Sequence, residues 1–197
     1  VISLKDQEAV PERTDSYDAG LRYSRGIVQA QLGGWYIRYD NRIVSTTVPL
    51  DGGGTISASR NVGRVDSKGI DATVIVNPTR WLSLYGFGSY LKAELKENIL
   101  NAATGAVLIA TKGKSLVDTP NWQYGGRAQV TLPYVVMGAS AKHVGDRFIT
   151  DENDAISAGY TLVDLDAQAK LDWAGLPKTY LQINVTNLLD TRYYSLS

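Results

Sequence analysis

Apolar residues recur with a period of two over most of the chain, the spacing at which side chains of a β-strand return to one face. From Ser16 to Ser24 the alternation is clean, with Tyr17, Ala19, Leu21 and Tyr23 on one face and Ser16, Asp18, Gly20, Arg22 and Ser24 on the other. A tight Ser24-Arg25-Gly26 turn leads to a second run, Ile27 to about Asp40, whose phase slips at Gly33-Gly34; a β-bulge is expected there. After a polar loop over 41–54 with three consecutive glycines, a third run is read from Thr55 through Asn61-Val62-Gly63 to Val76. It carries Ile70, Ala72, Val74 and Val76 on one face and stops at the turn signal Asn77-Pro78. The fourth run, Trp81 to Leu95, puts Trp81, Tyr85, Phe87, Leu91, Ala93 and Leu95 in phase, and 96–120 reads as a long loop.

The fifth run sets Trp122, Tyr124, Ala128, Val130 and Leu132 against Gln123, Arg127, Gln129 and Thr131. Pro133-Tyr134 turns it into a sixth, with Val135, Met137, Ala139 and Ala141 in phase, so that this pair is a predicted hairpin. Beyond a polar loop at 146–159, Thr161, Val163, Leu165, Ala167, Ala169 and Leu171 oppose Asp164, Asp166, Gln168 and Lys170. An eighth run follows, with Leu181, Ile183 and Val185 opposite Gln182, Asn184 and Thr186.

Connection lengths alternate. Tight turns near 25, 78, 133 and 175 lie at one end of the strands, and long loops at 41–54, 96–120 and 148–158 at the other. An outer-membrane barrel has this asymmetry, whereas a soluble sandwich has no reason for it. Small apolar residues in mid-span with aromatics near the strand ends favour a face turned to lipid, since rings of Tyr and Trp prefer the headgroup level. Tyr17, Tyr23, Trp81 and Trp122 are the candidate membrane-interface aromatics.

Composition narrows the alternatives. The 20 basic and 20 acidic residues cancel, leaving no electrostatic footprint for nucleic acid. Cysteine is absent, which excludes a disulfide framework, a thiolate zinc site and a cysteine nucleophile. No stretch reaches the roughly 20 apolar residues that a spanning helix needs, a test that strand barrels escape. Tyrosine (12) and glycine (19) are abundant while methionine (1) and phenylalanine (2) are scarce, as expected of strands with wet-ended rings. The first residues, VISLKDQEAVPERTD, carry charges where a signal peptide needs an unbroken apolar region, so the chain is expected to be mature, internal or trimmed.

Four stretches resemble the motifs of TonB-dependent outer-membrane receptors, and together they run across nearly the whole chain. PERTDSYDAGLRY is similar to a strand signature in which Asp18 stands where glutamate is usual. WYIRYDNRI resembles a strand rising to an extracellular loop, and NVGRVDSKGID a descending one, with Asp71 in place of glutamate. NLLDTRYY resembles the Asn-Leu-Phe-Asp, Tyr-Tyr signature that precedes the last strand. The resemblance implies an all-β fold, an antiparallel transmembrane β-barrel of which this chain supplies about eight of roughly 22 strands as part of a single barrel domain. No stretch resembles the family's plug domain or energy-coupling box.

By the same resemblance the protein is expected to be no enzyme. The resemblance implies a receptor and transporter in the bacterial outer membrane for uptake of a ferric siderophore or similar metal chelate. Its expected partners are outer-membrane lipid, the chelate, and the TonB complex acting through the plug. The chelate is substrate, and no resident cofactor is expected. Two alternatives use the same strands: a complete eight-stranded barrel acting as anchor or adhesin, and a soluble secreted β-sandwich binding carbohydrate or protein.

Local signals add little chemistry. His143 is the lone histidine and has no neighbouring metal ligands in sequence. Gly86-Phe87-Gly88 lies inside a strand with no helix after it, so it lacks the helix terminus of a phosphate loop. Asn184-Val185-Thr186 has the form of a glycosylation sequon but sits mid-strand. Asp164 and Asp166 share a strand face as paired acids do in a hydrolase, and equally as a polar wall facing water does. Arg42, Lys112 and Lys114, in loops of the long end, are the candidate substrate contacts, because clustered cations concentrate an anionic chelate.

Overall fold

The structure is a computed structural model that describes residues 11–49, 55–100 and 106–194. Its centre is one antiparallel sheet of eight strands: β1 (Arg13–Arg25), β2 (Val28–Asp40), β5 (Val65–Val76), β6 (Leu82–Leu95), β9 (Trp122–Thr131), β10 (Val135–Val144), β13 (Tyr160–Lys170) and β14 (Tyr180–Val185). The remaining strands are short hairpins within the long connections: β3 (Ile43–Pro49) with β4 (Thr55–Asn61), β7 (Ile99–Leu100) with β8 (Val107–Ile109), and β11 (Arg147–Phe148) with β12 (Ile156–Ser157). Spatial order follows chain order, and β1 and β14 are the two edges.

The register places the alternating residues of neighbouring strands in continuous rows. On one face, Leu21 pairs with Leu32, Leu32 with Ala72, and Ala72 with Gly88. Further along, Ala128 pairs with Ala139, Ala139 with Leu165, and Leu165 with Val185. This face is apolar from edge to edge and no second layer covers it among the described residues: Leu21 is 75% exposed, Ile70 55% and Ile183 60%. The two layers of a sandwich are therefore not formed, nor is the closed ring of a small barrel, whose first and last strands would pair. Burying such side chains is worth about 1.5–3 kcal/mol each, so water is a poor solvent for this surface. Toward the long-connection end the apolar rows finish in Tyr17, Tyr36, Tyr90 and Trp122 and then turn charged. Arg38–Asp40 and Arg64–Asp66 pair there at 3.2 Å.

Several sequence expectations are corrected. The ladder runs without interruption through Gly33 and Gly34 on both sides of β2, so there is no bulge. The apolar phase slips because Trp35, Ile37 and Tyr39 occupy the otherwise polar face. On β6 the apolar set Tyr85, Phe87, Leu91, Ala93 and Leu95 likewise belongs to that face, while Leu84, Gly86, Gly88 and Tyr90 continue the apolar rows. For Trp35, Ile37, Tyr39, Leu91, Ala93 and Leu95 the cause lies at the long-connection end. Residues 96–100 and 106–120 do not form an open loop: Val62, Val65, Leu95 and Ile99 are buried in a small core against Tyr39, Ile109 and Leu116. The third run is not one strand: Val62-Gly63-Arg64 separates β4 from β5, and Gly63 has φ +76°, a left-handed conformation that breaks an extended chain. Within the predicted loop at 41–54 lies β3, while its three glycines fall outside the described residues.

Candidate functional site

The polar face is held by side chains that reach across strands. The Trp35 ring lies over Gly69, and its Nε1 donates to Asp71 Oδ2 at 2.7 Å, while Ser89 Oγ donates to Asp71 Oδ1 at 2.5 Å. Arg127 of β9 reaches Asp166 of β13 over the intervening strand β10, with Nη1–Oδ1 at 2.6 Å and Nη2–Oδ2 at 2.9 Å. The crossing is possible because β10 carries Gly138 beneath it: a Cβ at that position would collide with the guanidinium. Asp164 is engaged differently, accepting from the Asn187 amide at 2.8 Å. The two carboxylates thus serve separate structural bonds, not a catalytic pair.

Two hollows open at the long-connection end of this face. The larger, about 390 Å³, is bordered by Asp118, Gln123, Lys142, Arg147 and Tyr160. Arg147 is nearly buried, its side chain 4% exposed; Nη2 donates to the Tyr194 carbonyl at 2.7 Å and Nε faces Asp118 Oδ1 at 3.4 Å. Lys142 is exposed. The smaller hollow, about 170 Å³, has apolar walls from Trp35, Ile37, Tyr39 and Leu116. Leu91 and Thr119 border both.

The predicted cations lie around this region without forming one patch. Arg42 stacks on the Tyr39 ring at 4.6 Å and borders the smaller hollow, but its charge is answered by Glu12 at 2.7 Å. The second Glu12 oxygen accepts the Ile43 amide at 3.1 Å. Its carboxyl is held below its ordinary range, chiefly by that backbone bond against a desolvation cost, with Arg42 adding to the effect. Lys112 and Lys114 are exposed on the turn after β8, where Lys112 N donates to Asn98 Oδ1 at 2.9 Å and the Lys114 carbonyl accepts from Leu95 N at 2.8 Å. They border neither hollow.

The four selected aromatics divide between the two ends of the sheet. Tyr17 and Trp122 stand toward the long connections, Tyr23 and Trp81 by the short turns. His143 stacks on Tyr124 at 4.8 Å, and its Nδ1 is 2.9 Å from Thr161 Oγ1. Among the described residues no group of His, Asp and Glu side chains has the form of a metal site. Lys142 and Arg147 were not singled out from the sequence. Alternation along the sixth run does assign Lys142 to the polar face, but the long connections that border the hollow have no periodic signal.

A family model described as TonB dependent receptor-like, beta-barrel, matches residues 9–188. The metal-pseudopaline receptor CntO of Pseudomonas aeruginosa is 28% identical over 196 residues, 95% of this chain and 25% of that protein. Among solved structures, the ferric yersiniabactin uptake receptor FyuA of Yersinia pestis has a TM-score of 0.68 at 16% identity, over 94% of this chain and 27% of that one. The ferric preacinetobactin receptor BauA of Acinetobacter baumannii has 0.66 at 20% identity, over 93% and 26%. The chain thus spans about a quarter of the length of the proteins it matches.

Proposed function

Because this chain belongs to the TonB-dependent receptor β-barrel family, we propose that it forms part of the wall of an outer-membrane receptor that takes up a ferric siderophore or similar metal chelate. The supporting observation is the single sheet with one uncovered apolar face, bounded by rings and then by charges, and one hydrogen-bonded polar face. On this reading the first faces lipid and the second the barrel interior, as in strand barrels that keep every backbone group paired within the bilayer. The short turns then lie on the periplasmic side and the long connections outside, where cargo arrives. Work reaches the receptor from TonB through its plug. Cargo passes intact, so no bond is made or broken, consistent with relatives that are receptors and transporters, not enzymes.

The names of the relatives, which include receptors for metal-pseudopaline, ferric yersiniabactin and ferric preacinetobactin, support a chelated metal as cargo. The test is fractionation and transport with the receptor that carries this chain. The expected result is recovery in the outer-membrane fraction and uptake of radiolabelled iron from a chelate only in cells with a working TonB. Uptake independent of TonB, or a protein found in the soluble fraction, refutes the reading.

A further inference from the structure

We propose that the uncovered face carries a seat for one glycolipid, its sugar headgroup in a hollow at the Tyr90 and Trp122 rings and an acyl chain over the glycines of β6 beside them. This rests on the membrane reading above, in which that face meets lipid and the long connections lie outside.

The headgroup half is a hollow of about 280 Å³ bordered by Tyr90, Asn121, Trp122, Asp146, Arg147 and Phe148. Its rings are those in which the uncovered apolar rows end, so it belongs to the lipid side of the wall and not to the polar face. They stand 4.7 Å apart with their planes inclined at 50°. A sugar has C–H groups on the face of its ring, which pack on aromatic surface, and hydroxyls at its rim, which both donate and accept. Asn121 answers either kind, and the exposed Asp146 accepts. The Arg147 side chain, 4% exposed, has partners for only two of its three nitrogens among the described residues, and a buried donor left unused is costly until an acceptor reaches it. An anionic headgroup fits this hollow less well. Arg147 already faces Asp118 at 3.4 Å and Asp146 adds a second carboxylate, so no surplus positive charge remains for a phosphate.

The acyl half lies next along the same strand. After Tyr90 the uncovered face of β6 continues in Gly88 and Gly86, which pair with Ala72 and Val74 on β5 and with Tyr124 and Gly126 on β9. The Gly86-Phe87-Gly88 run, which is no phosphate loop, thus leaves a trough one strand wide between the exposed side chains of Val74 and Tyr124. A hydrocarbon chain lying in it touches apolar atoms on three sides, more than a flat wall offers. Because trough and hollow meet at Tyr90, the occupant is a sugar joined to a chain; a free sugar has nothing to lay along the glycines.

The experiment is native mass spectrometry of the purified receptor carrying this chain, in lauryldimethylamine oxide micelles, with three probes: a glucosyl diacylglycerol, phosphatidylglycerol with the same acyl chains, and glucose. Only the glucosyl lipid is expected to be retained. Trp122→Leu removes ring surface and weakens it by about tenfold. Gly88→Leu fills the trough with a similar loss, and the strand accommodates it, since the nearest atom a Cβ there would meet across the sheet is Tyr124 Cβ at 4.0 Å. Ile183→Ala, elsewhere on the same face, changes nothing. Far-ultraviolet circular dichroism of each variant shows that its sheet is intact. Equal retention of the two lipids, retention of glucose alone as tightly as of its lipid, or unchanged binding in Trp122→Leu and Gly88→Leu overturns the proposal. A receptor that sediments with the outer membrane yet gives any of these results leaves the membrane reading standing and removes only the seat; one found in the soluble fraction refutes both.

Discussion

At the scale of single residues, glycine is informative for what passes over it. Gly138 is an unremarked position in the sequence, in a strand whose alternation is otherwise regular, yet it is where the Arg127–Asp166 fork crosses β10. The ion pair is only partly withdrawn from water, its side chains 34% and 28% exposed, so Asp166→Ala is expected to cost about 0.5–1 kcal/mol in urea unfolding of the reconstituted receptor. In a Gly138→Val background the same change costs nothing further, because the valine already occupies the crossing. A full cost in both backgrounds means that the fork does not depend on the glycine. Glu12 supplies a second test. Its carboxyl titrates below the usual range in the folded chain, so its contribution is complete above the unfolded pKa. That contribution is lost as pH falls through the lower, folded value. Hydrogen-exchange protection at the Ile43 amide should accordingly drop below the ordinary glutamate range and be insensitive to pH above it. A protection factor that is flat through that acid window contradicts this role.

Among the elements, alternation made most strands legible. The apolar rows of β1, β5, β9, β10, β13 and β14 stand as the sequence pattern places them, because each has an uninterrupted apolar face and a polar one. The upper half of β2 and the whole of β6 depart from the sequence pattern, with an unneeded bulge in the one and the apolar set on the other face in the second. Toward the long connections their polar side packs against Ile99, Ile109 and Leu116, so apolar side chains are accommodated there, and nothing local in Trp35, Tyr39 or Leu95 announces that cover. Of the loop cations read from the sequence, Arg42 borders the smaller hollow and Lys112 and Lys114 border neither; the larger hollow is bordered by Lys142 and by the buried Arg147, whose burial depends on long-range folding. The two kinds of leucine in these strands should behave differently on truncation. Leu95, fully buried, is expected to lose about 2–5 kcal/mol as Leu95→Ala, and Leu21→Ala much less, since its surroundings on the uncovered face are fluid. Unfolding titrations in lipid vesicles measure both, and equal losses contradict the division into a packed and an unpacked leucine.

For the molecule as a whole, the decisive fact is a sheet whose two edges and one apolar face are uncovered among the described residues. An unpaired backbone group in hydrocarbon costs several kcal/mol, so the edges of β1 and β14 require neighbouring strands before the sheet is stable in a bilayer. The chain of 197 residues, prepared alone in buffer without detergent, is expected to associate through these edges and this face. Size-exclusion chromatography decides the matter, and a monodisperse monomer contradicts the expectation. Fold class and strand direction were thus open to reading from the sequence. That the chain is only part of a barrel was legible through the resemblance and not through alternation, which looks the same in a ring, a sandwich and an open sheet.

The brevity of the turn between β1 and β2, only Gly26 and Ile27, has a mechanical corollary. Staves stitched so closely along their lower hem have no slack with which to swing aside. A wall built this way holds its first two strands together as one rigid panel.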